Sequence, residues 1–102
     1  MARIVVLFDL KDGVAAADYE AWARATDIPT VNGLESVAAF TVHRAASLLA
    51  GEGTPPYQYV EVIDVDDMGR FGAEIGSDTM QRVAAEFQAF ADNPIFILTE
   101  DV

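Results

Sequence analysis

Two short runs near the ends of this 102-residue chain, Ile4-Val5-Val6-Leu7-Phe8 and Ile95-Phe96-Ile97-Leu98, are apolar at every position. Successive side chains on a strand point to opposite faces, so such runs need cover on both sides of their sheet. The rest of the chain has room for only two substantial helices, and two helices cover one side. The economical cover for the second side is the same face of another copy of the chain, giving a homodimer built as a two-sheet barrel around a twofold axis. The alternative is a monomer whose long central loop folds back over the sheet.

The elements follow from local chemistry. Arg3 to Leu10 reads as a strand ended by the turn residues Lys11-Asp12-Gly13. A helix is expected from Ala15 to Asp27, with Tyr19, Trp22, Ala23 and Thr26 at helical spacing. Ile28-Pro29 is expected to end it, because the residue before proline is pushed away from helical angles. Asn32-Gly33 then turns the chain into a second strand, Ser36 to Arg44. Ala45 to Pro56, with two glycines and two prolines, reads as a loop containing at most one helical turn at Ala46 to Ala50. The third strand is expected over Tyr57 to Val65. Asp66-Asp67 is set to cap a helix from Met68 to Ile75, and Ser77 or Asp78 one from Thr79 to Ala91. Asn93-Pro94 is expected to break that helix before a closing strand, Ile95 to Thr99. The order is βαββαβ in one domain, the ferredoxin-like arrangement of an antiparallel four-stranded sheet with two helices on one face.

One position on the third strand is out of character. Alternation puts Tyr57, Tyr59, Glu61 and Ile63 on one face, a carboxylate with apolar neighbours on both sides. On the second strand, Val37, Ala39, Thr41 and His43 share a face against Ala38, Phe40, Val42 and Arg44. If the faces bearing Glu61 and His43 coincide, the only histidine and an acid share a cavity with two tyrosines.

Composition removes several function classes. With 17 acidic residues against 6 basic ones, the net charge of −11 repels a phosphate backbone, so no nucleic-acid partner is expected. There is no cysteine and only one histidine, which argues against disulfides and a conventional zinc or iron centre. Neither a Walker loop nor a dinucleotide fingerprint is present, so no nucleotide cofactor is expected, while a carboxylate-only magnesium or calcium site stays open. The apolar run at the N-terminus reaches Asp9 too soon for a signal peptide or a membrane span, and a cytoplasmic location is the default expectation.

Four stretches carry a resemblance: Tyr19-Glu20-Ala21-Trp22-Ala23-Arg24 with Asp27-Ile28-Pro29 and Asn32-Gly33-Leu34, then Tyr57-Gln58-Tyr59-Val60-Glu61, and Phe87-Gln88-Ala89-Phe90-Ala91-Asp92-Asn93-Pro94. In these the chain resembles the dimeric α/β-barrel superfamily, which includes cofactor-independent quinol monooxygenases, muconolactone isomerase and stress-response barrels. More narrowly it resembles the REDY-like HapK family of small bacterial proteins, whose founding member is associated with a prodigiosin-type pigment pathway. The resemblance implies a homodimer without cofactor that handles an apolar or aromatic small molecule of secondary metabolism. Related EthD-type and heme-degrading barrels carry a histidine before the proline that follows the first helix. Here the residue is Asp27, which does not support heme ligation and places an acid at the corresponding mouth of the barrel.

The candidate site residues each have a packing reading beside the functional one. Buried, Glu61 acquires a raised pKa and serves as a general acid or base; otherwise it pairs with Arg44, Arg3 or His43. His43 can exchange a proton, or it simply ends a strand beside Arg44. Tyr57, Tyr59, Thr41 and Asp27 are candidate substrate contacts. Trp22 joins them as a candidate aromatic platform, although its helical spacing makes it core first. Three functions are compatible with this set: a cofactor-free enzyme moving protons through Glu61 and His43, a non-catalytic binding or accessory dimer, and a structural dimer with a closed core.

Overall fold

The computed structural model describes residues 2–102. Strand β1, Ala2–Leu10, is followed by a helical stretch that runs as α1, Ala16–Trp22, a π-helical turn at Ala23–Asp27, and α2, Ile28–Asn32. Strands β2, Val37–Arg44, and β3, Tyr59–Val65, come next, then helices α3, Met68–Glu74, and α4, Asp78–Phe90, and strand β4, Ala91–Thr99. The sheet order is β2-β3-β1-β4 and every pairing is antiparallel, so the ferredoxin-like architecture is present. No described helix is long and apolar enough to cross a membrane.

Several local expectations are met by visible chemistry. Gly13 takes the left-handed conformation that closes the turn after β1. The side chains of Asp67 and Ser77 cap α3 and α4, accepting hydrogen bonds from the backbone N–H of Arg70 and Met80. Asp66-Asp67 is thus a cap region, with Asp67 the residue that caps. The Asn32 amide group bridges to both the N–H and the C=O of Phe40, tying the end of α2 to β2.

Other expectations are corrected. Pro29 does not end the helix. The Ile28 N–H bonds to the Ala23 carbonyl, five residues back, and this widened turn places Pro29 in the first turn of a new helical segment, where a missing N–H costs nothing. Ala46 to Ala50 forms no helical turn. Strand β3 begins at Tyr59 rather than Tyr57. Asn93-Pro94 does not separate α4 from the last strand, which starts directly at Ala91. Both residues oppose the single residue Phe8 in a bulge, with Asn93 left-handed, so an edge strand accommodates a proline that has no N–H to give.

The helices cover one face of the sheet. Val6, Phe8, Tyr59 and Val65 are buried beneath them, together with Tyr19, Ala23, Phe71, Val83 and Phe87. On the opposite face lie Val5 and Leu7 of β1, Val60 and Val62 of β3, and Ile95 and Ile97 of β4, all incompletely buried. Ile97 retains 41% exposure. Strands apolar on both faces are therefore covered on one by the chain's own helices, while the pattern of β1 and β4 calls for cover on the other as well.

Candidate functional site

Glu61 sits in the middle of β3, between Val6 of β1 and Val42 of β2, and faces the helices. It is 4% exposed. Of the partners that could have neutralised it, Arg44 pairs with Glu20, Arg3 with Asp64, and His43 meets Thr41. What reaches Glu61 is the Tyr19 hydroxyl, which donates to Oε2 at 3.2 Å. Rings pack against the tyrosine, with Phe8, Tyr59 and Phe90 at centroid distances of 5.4, 4.9 and 5.7 Å.

Asp27 comes to the same place from the helical side. Tyr19, Ala23 and Asp27 follow one another at intervals of four residues and all three are buried, so one helical face carries them onto the sheet. The π-helical turn ends at Asp27, and such turns are frequent at functional sites. Asp27 is 5% exposed, and among the described residues none donates a hydrogen bond to its carboxyl.

Asp27 and Glu61 line one cavity of about 120 Å³ between the sheet and helices α2 and α4. Its other walls are apolar: Val31, Phe40, Ile63, Met80, Val83, Phe87 and the 58%-exposed Phe96 at the open end, with Gln88 the only other polar side chain. Burial pushes the Asp27 carboxyl up to about 7. Burial, then repulsion from Asp27, pushes Glu61 up to about 8, against the opposing effect of the Tyr19 hydrogen bond. Tyr19 is itself pushed up by burial and by the adjacent Glu61, so it remains a donor. At neutral pH the pair holds a proton that it can give and an oxygen that can take one.

The structure separates the remaining predicted residues from this pair. His43 and Thr41 lie on the opposite face of the sheet and contact each other, His43 Nε2 to Thr41 Oγ1 at 2.9 Å. The expectation that His43 and Glu61 share a cavity is corrected by the register: Val42 is the neighbour of Glu61 and His43 that of Val60. A bulge at Ala38 also turns Val37 into the core, away from the face of Ala39, Thr41 and His43 on which simple alternation places it. Tyr57 precedes β3 and lines a separate surface hollow with Pro55 and Ala45. Trp22 packs on Tyr19 and Phe90 and donates its indole N–H to Glu86 at 2.8 Å, outside the cavity.

Tyr59 faces the helices like Glu61 but belongs to a second hollow, where its hydroxyl donates to Glu20 at 2.7 Å. Arg44 grips the same carboxylate through Nε and Nη2 at 2.8 and 2.9 Å, and Arg24 joins at 3.2 Å. These bonds hold the Glu20 carboxyl below its usual range. Sequence reasoning misses Tyr19 as a site residue, although the four-residue spacing Tyr19-Ala23-Asp27 is open to view. It likewise takes Phe96 only as part of an apolar strand.

A ferredoxin-like sheet with a carboxyl-bearing cavity under its helices defines a class of small α/β proteins with an internal pocket. Solved structures share the fold. HapK from Hahella chejuensis is 30% identical, with all of this chain and 93% of that one covered at a TM-score of 0.78. A dimeric ferredoxin-like protein from Thermobifida fusca is 17% identical over 98% of this chain and 90% of that one, TM-score 0.74. An antibiotic biosynthesis monooxygenase is 12% identical over 100% and 99%, TM-score 0.75. Among curated proteins none matches the chain. The family described as REDY-like protein HapK matches residues 2–102, and the chain belongs to it.

Proposed function

We propose that this protein is a cofactor-independent catalyst of secondary metabolism that moves protons on an apolar or aromatic compound held between sheet and helices, with Asp27 and Glu61 as the acid and base. The observation that carries this reading is the presence of two buried carboxyls, paired with no cation among the described residues, on the walls of a largely apolar cavity. A structural core replaces such groups with hydrocarbon, since burying an unpaired carboxyl costs stability. A catalyst gains from them, because a carboxyl titrating near neutrality matches the driving force for proton transfer in both directions. In the simplest cycle one carboxylate oxygen takes a proton from a carbon beside a carbonyl or imine, and the other carboxylic acid delivers its proton to the heteroatom. The reverse transfers at a different carbon complete an isomerisation, and the pair ends with the proton it began with.

The working unit in this reading is a homodimer. The uncovered face of Val5, Leu7, Val60, Val62, Ile95 and Ile97 supplies its interface, and the similar Thermobifida fusca protein is described as dimeric. His43 and Thr41 then fall in the interface region, remote from the chemistry. The similarity to an antibiotic biosynthesis monooxygenase and to HapK supports a role in secondary metabolism.

The test is exchange of the α-protons of phenylacetone and 2-aminoacetophenone in D2O, followed by NMR. The protein accelerates exchange over buffer of equal pH, and Glu61→Gln lowers the acceleration roughly 100-fold while ligand affinity stays within about threefold. Equal loss of affinity and exchange would make this a binding module. Exchange indifferent to both Glu61→Gln and Asp27→Asn would end the proton-transfer reading.

A further inference from the structure

We propose that the ligand of the Asp27–Glu61 cavity carries a basic nitrogen and is bound as an organic cation, such as an amine or iminium, rather than as a neutral or acidic molecule. The inference rests on the reading of this cavity as a ligand site and adds the charge of what enters it.

The walls present two carboxyls and no cationic side chain beside them. Asp27 receives no hydrogen bond from any described residue, and Glu61 receives one, from the neutral Tyr19 hydroxyl. The basic side chains are committed elsewhere or point to solvent. Arg3 pairs with Asp64 on the outer side of the sheet, Arg24 and Arg44 with Glu20, and Arg70 with Glu35, while Lys11 and Arg82 are exposed. Were the pair a structural feature, one of these cations would be the simplest way to satisfy it. None is supplied, so the missing charge is left for the occupant.

The rest of the cavity agrees. Phe40, Phe87 and Phe96 offer ring surface to a cation, and aromatic walls favour cationic over anionic occupants. An acid entering the cavity would meet both carboxyls, inside a chain of net charge −11 that already repels anions. A neutral alcohol could bond to the pair but would leave any negative charge on it uncompensated. A cation settles next to the charge, stabilises the ionised form of the pair and displaces its protons into solvent.

Three ring-sized probes that differ in charge test this with the full chain at pH 8: benzylamine, benzyl alcohol and benzoate. Binding is followed by amide NMR shifts and by calorimetry in two buffers of different ionisation enthalpy. Benzylamine is expected to shift the amides around Asp27, Glu61 and Phe96 with release of protons, and to bind about 10-fold or more tightly than benzyl alcohol, a difference of about 1.4 kcal/mol. Benzoate is expected to leave those amides unmoved. Glu61→Gln and Asp27→Asn, each shown to be folded by its amide spectrum, should each abolish the preference for the amine. Benzyl alcohol binding in the cavity as well as the amine would overturn the charge assignment and leave the ligand site standing. Retention of the amine preference in both carboxamide variants would also overturn it, by placing the amine on surface acids. If no probe moves the cavity amides at all, the ligand-site reading falls with it.

Discussion

Replacing Glu61 by glutamine keeps the size of the side chain and an oxygen for the Tyr19 hydroxyl, and removes only the ability to carry charge. The consequence depends on pH in a way that the burial of Glu61 dictates. The carboxyl is raised to about 8 from an ordinary value of 4.5, so between these limits the folded state holds a proton that the unfolded chain has released. Stability contributed by that proton is fully present below about 4.5 and is lost as pH rises towards 8, because the native state binds more protons than the unfolded one throughout that window. At 1.36 kcal/mol per unit, wild type at pH 7 has lost about 3 kcal/mol relative to acid conditions, a ceiling that water in the cavity will reduce. Glutamine has no such dependence. The variant should match wild type near pH 4.5 and exceed it by up to about 3 kcal/mol at pH 7, which for a domain of this size raises Tm on the order of 10 °C. Urea denaturation of both proteins at pH 4.5, 6, 7 and 8.5, under conditions where both have the same oligomeric state, measures the difference directly. A variant less stable than wild type at every pH, by a constant amount, would refute the reasoning, since it would mean that a charged Glu61 is satisfied by partners and contributes to the fold.

Three further outcomes are expected. Tyr19→Phe removes the one hydrogen bond to Glu61, so its carboxyl should titrate higher still, seen by 13C NMR of the side-chain carboxyl, with a stability loss of about 1 kcal/mol; an unmoved titration would show that Tyr19 does not act on Glu61. Val62→Arg places a charge on the uncovered face of the sheet and should convert a dimer to a monomer in analytical ultracentrifugation, while a wild type that sediments as a monomer would contradict that interface. His43→Ala, whose contact is with Thr41 on the same outer face, should leave α-proton exchange and amine affinity unchanged within about twofold, and a loss of about 10-fold would return the histidine to the site.

The order of the elements was legible throughout, because it rests on periodicity and on the caps at Asp67 and Ser77, which act within a few residues of themselves. The oddity of Glu61 was legible too: an acid flanked by Tyr59 and Ile63 on a strand announces a buried carboxyl from the residue pattern alone. Its true companion was visible only as a suspicion. Asp27 stands four residues after Ala23 and eight after Tyr19 on one helical face, yet Ile28-Pro29 suggested that the helix stopped there, and the π-helical turn that carries it past the proline has no marker in the residues themselves.

Alternation within one strand states which residues share a face, and so the chain by itself determined that Tyr59, Glu61 and Ile63 go together and that Thr41 and His43 go together. It did not determine whether those two sets meet. That was decided by the register of β2 on β3, with its bulge at Ala38, and by helices that settled on one side of the sheet, so that Glu61 turned inward to Asp27 and His43 outward. The reason is physical: side-chain direction along a strand is a property of consecutive bonds, whereas the side of the sheet on which a strand's polar face lies depends on hydrogen bonds and burial between segments far apart in the chain.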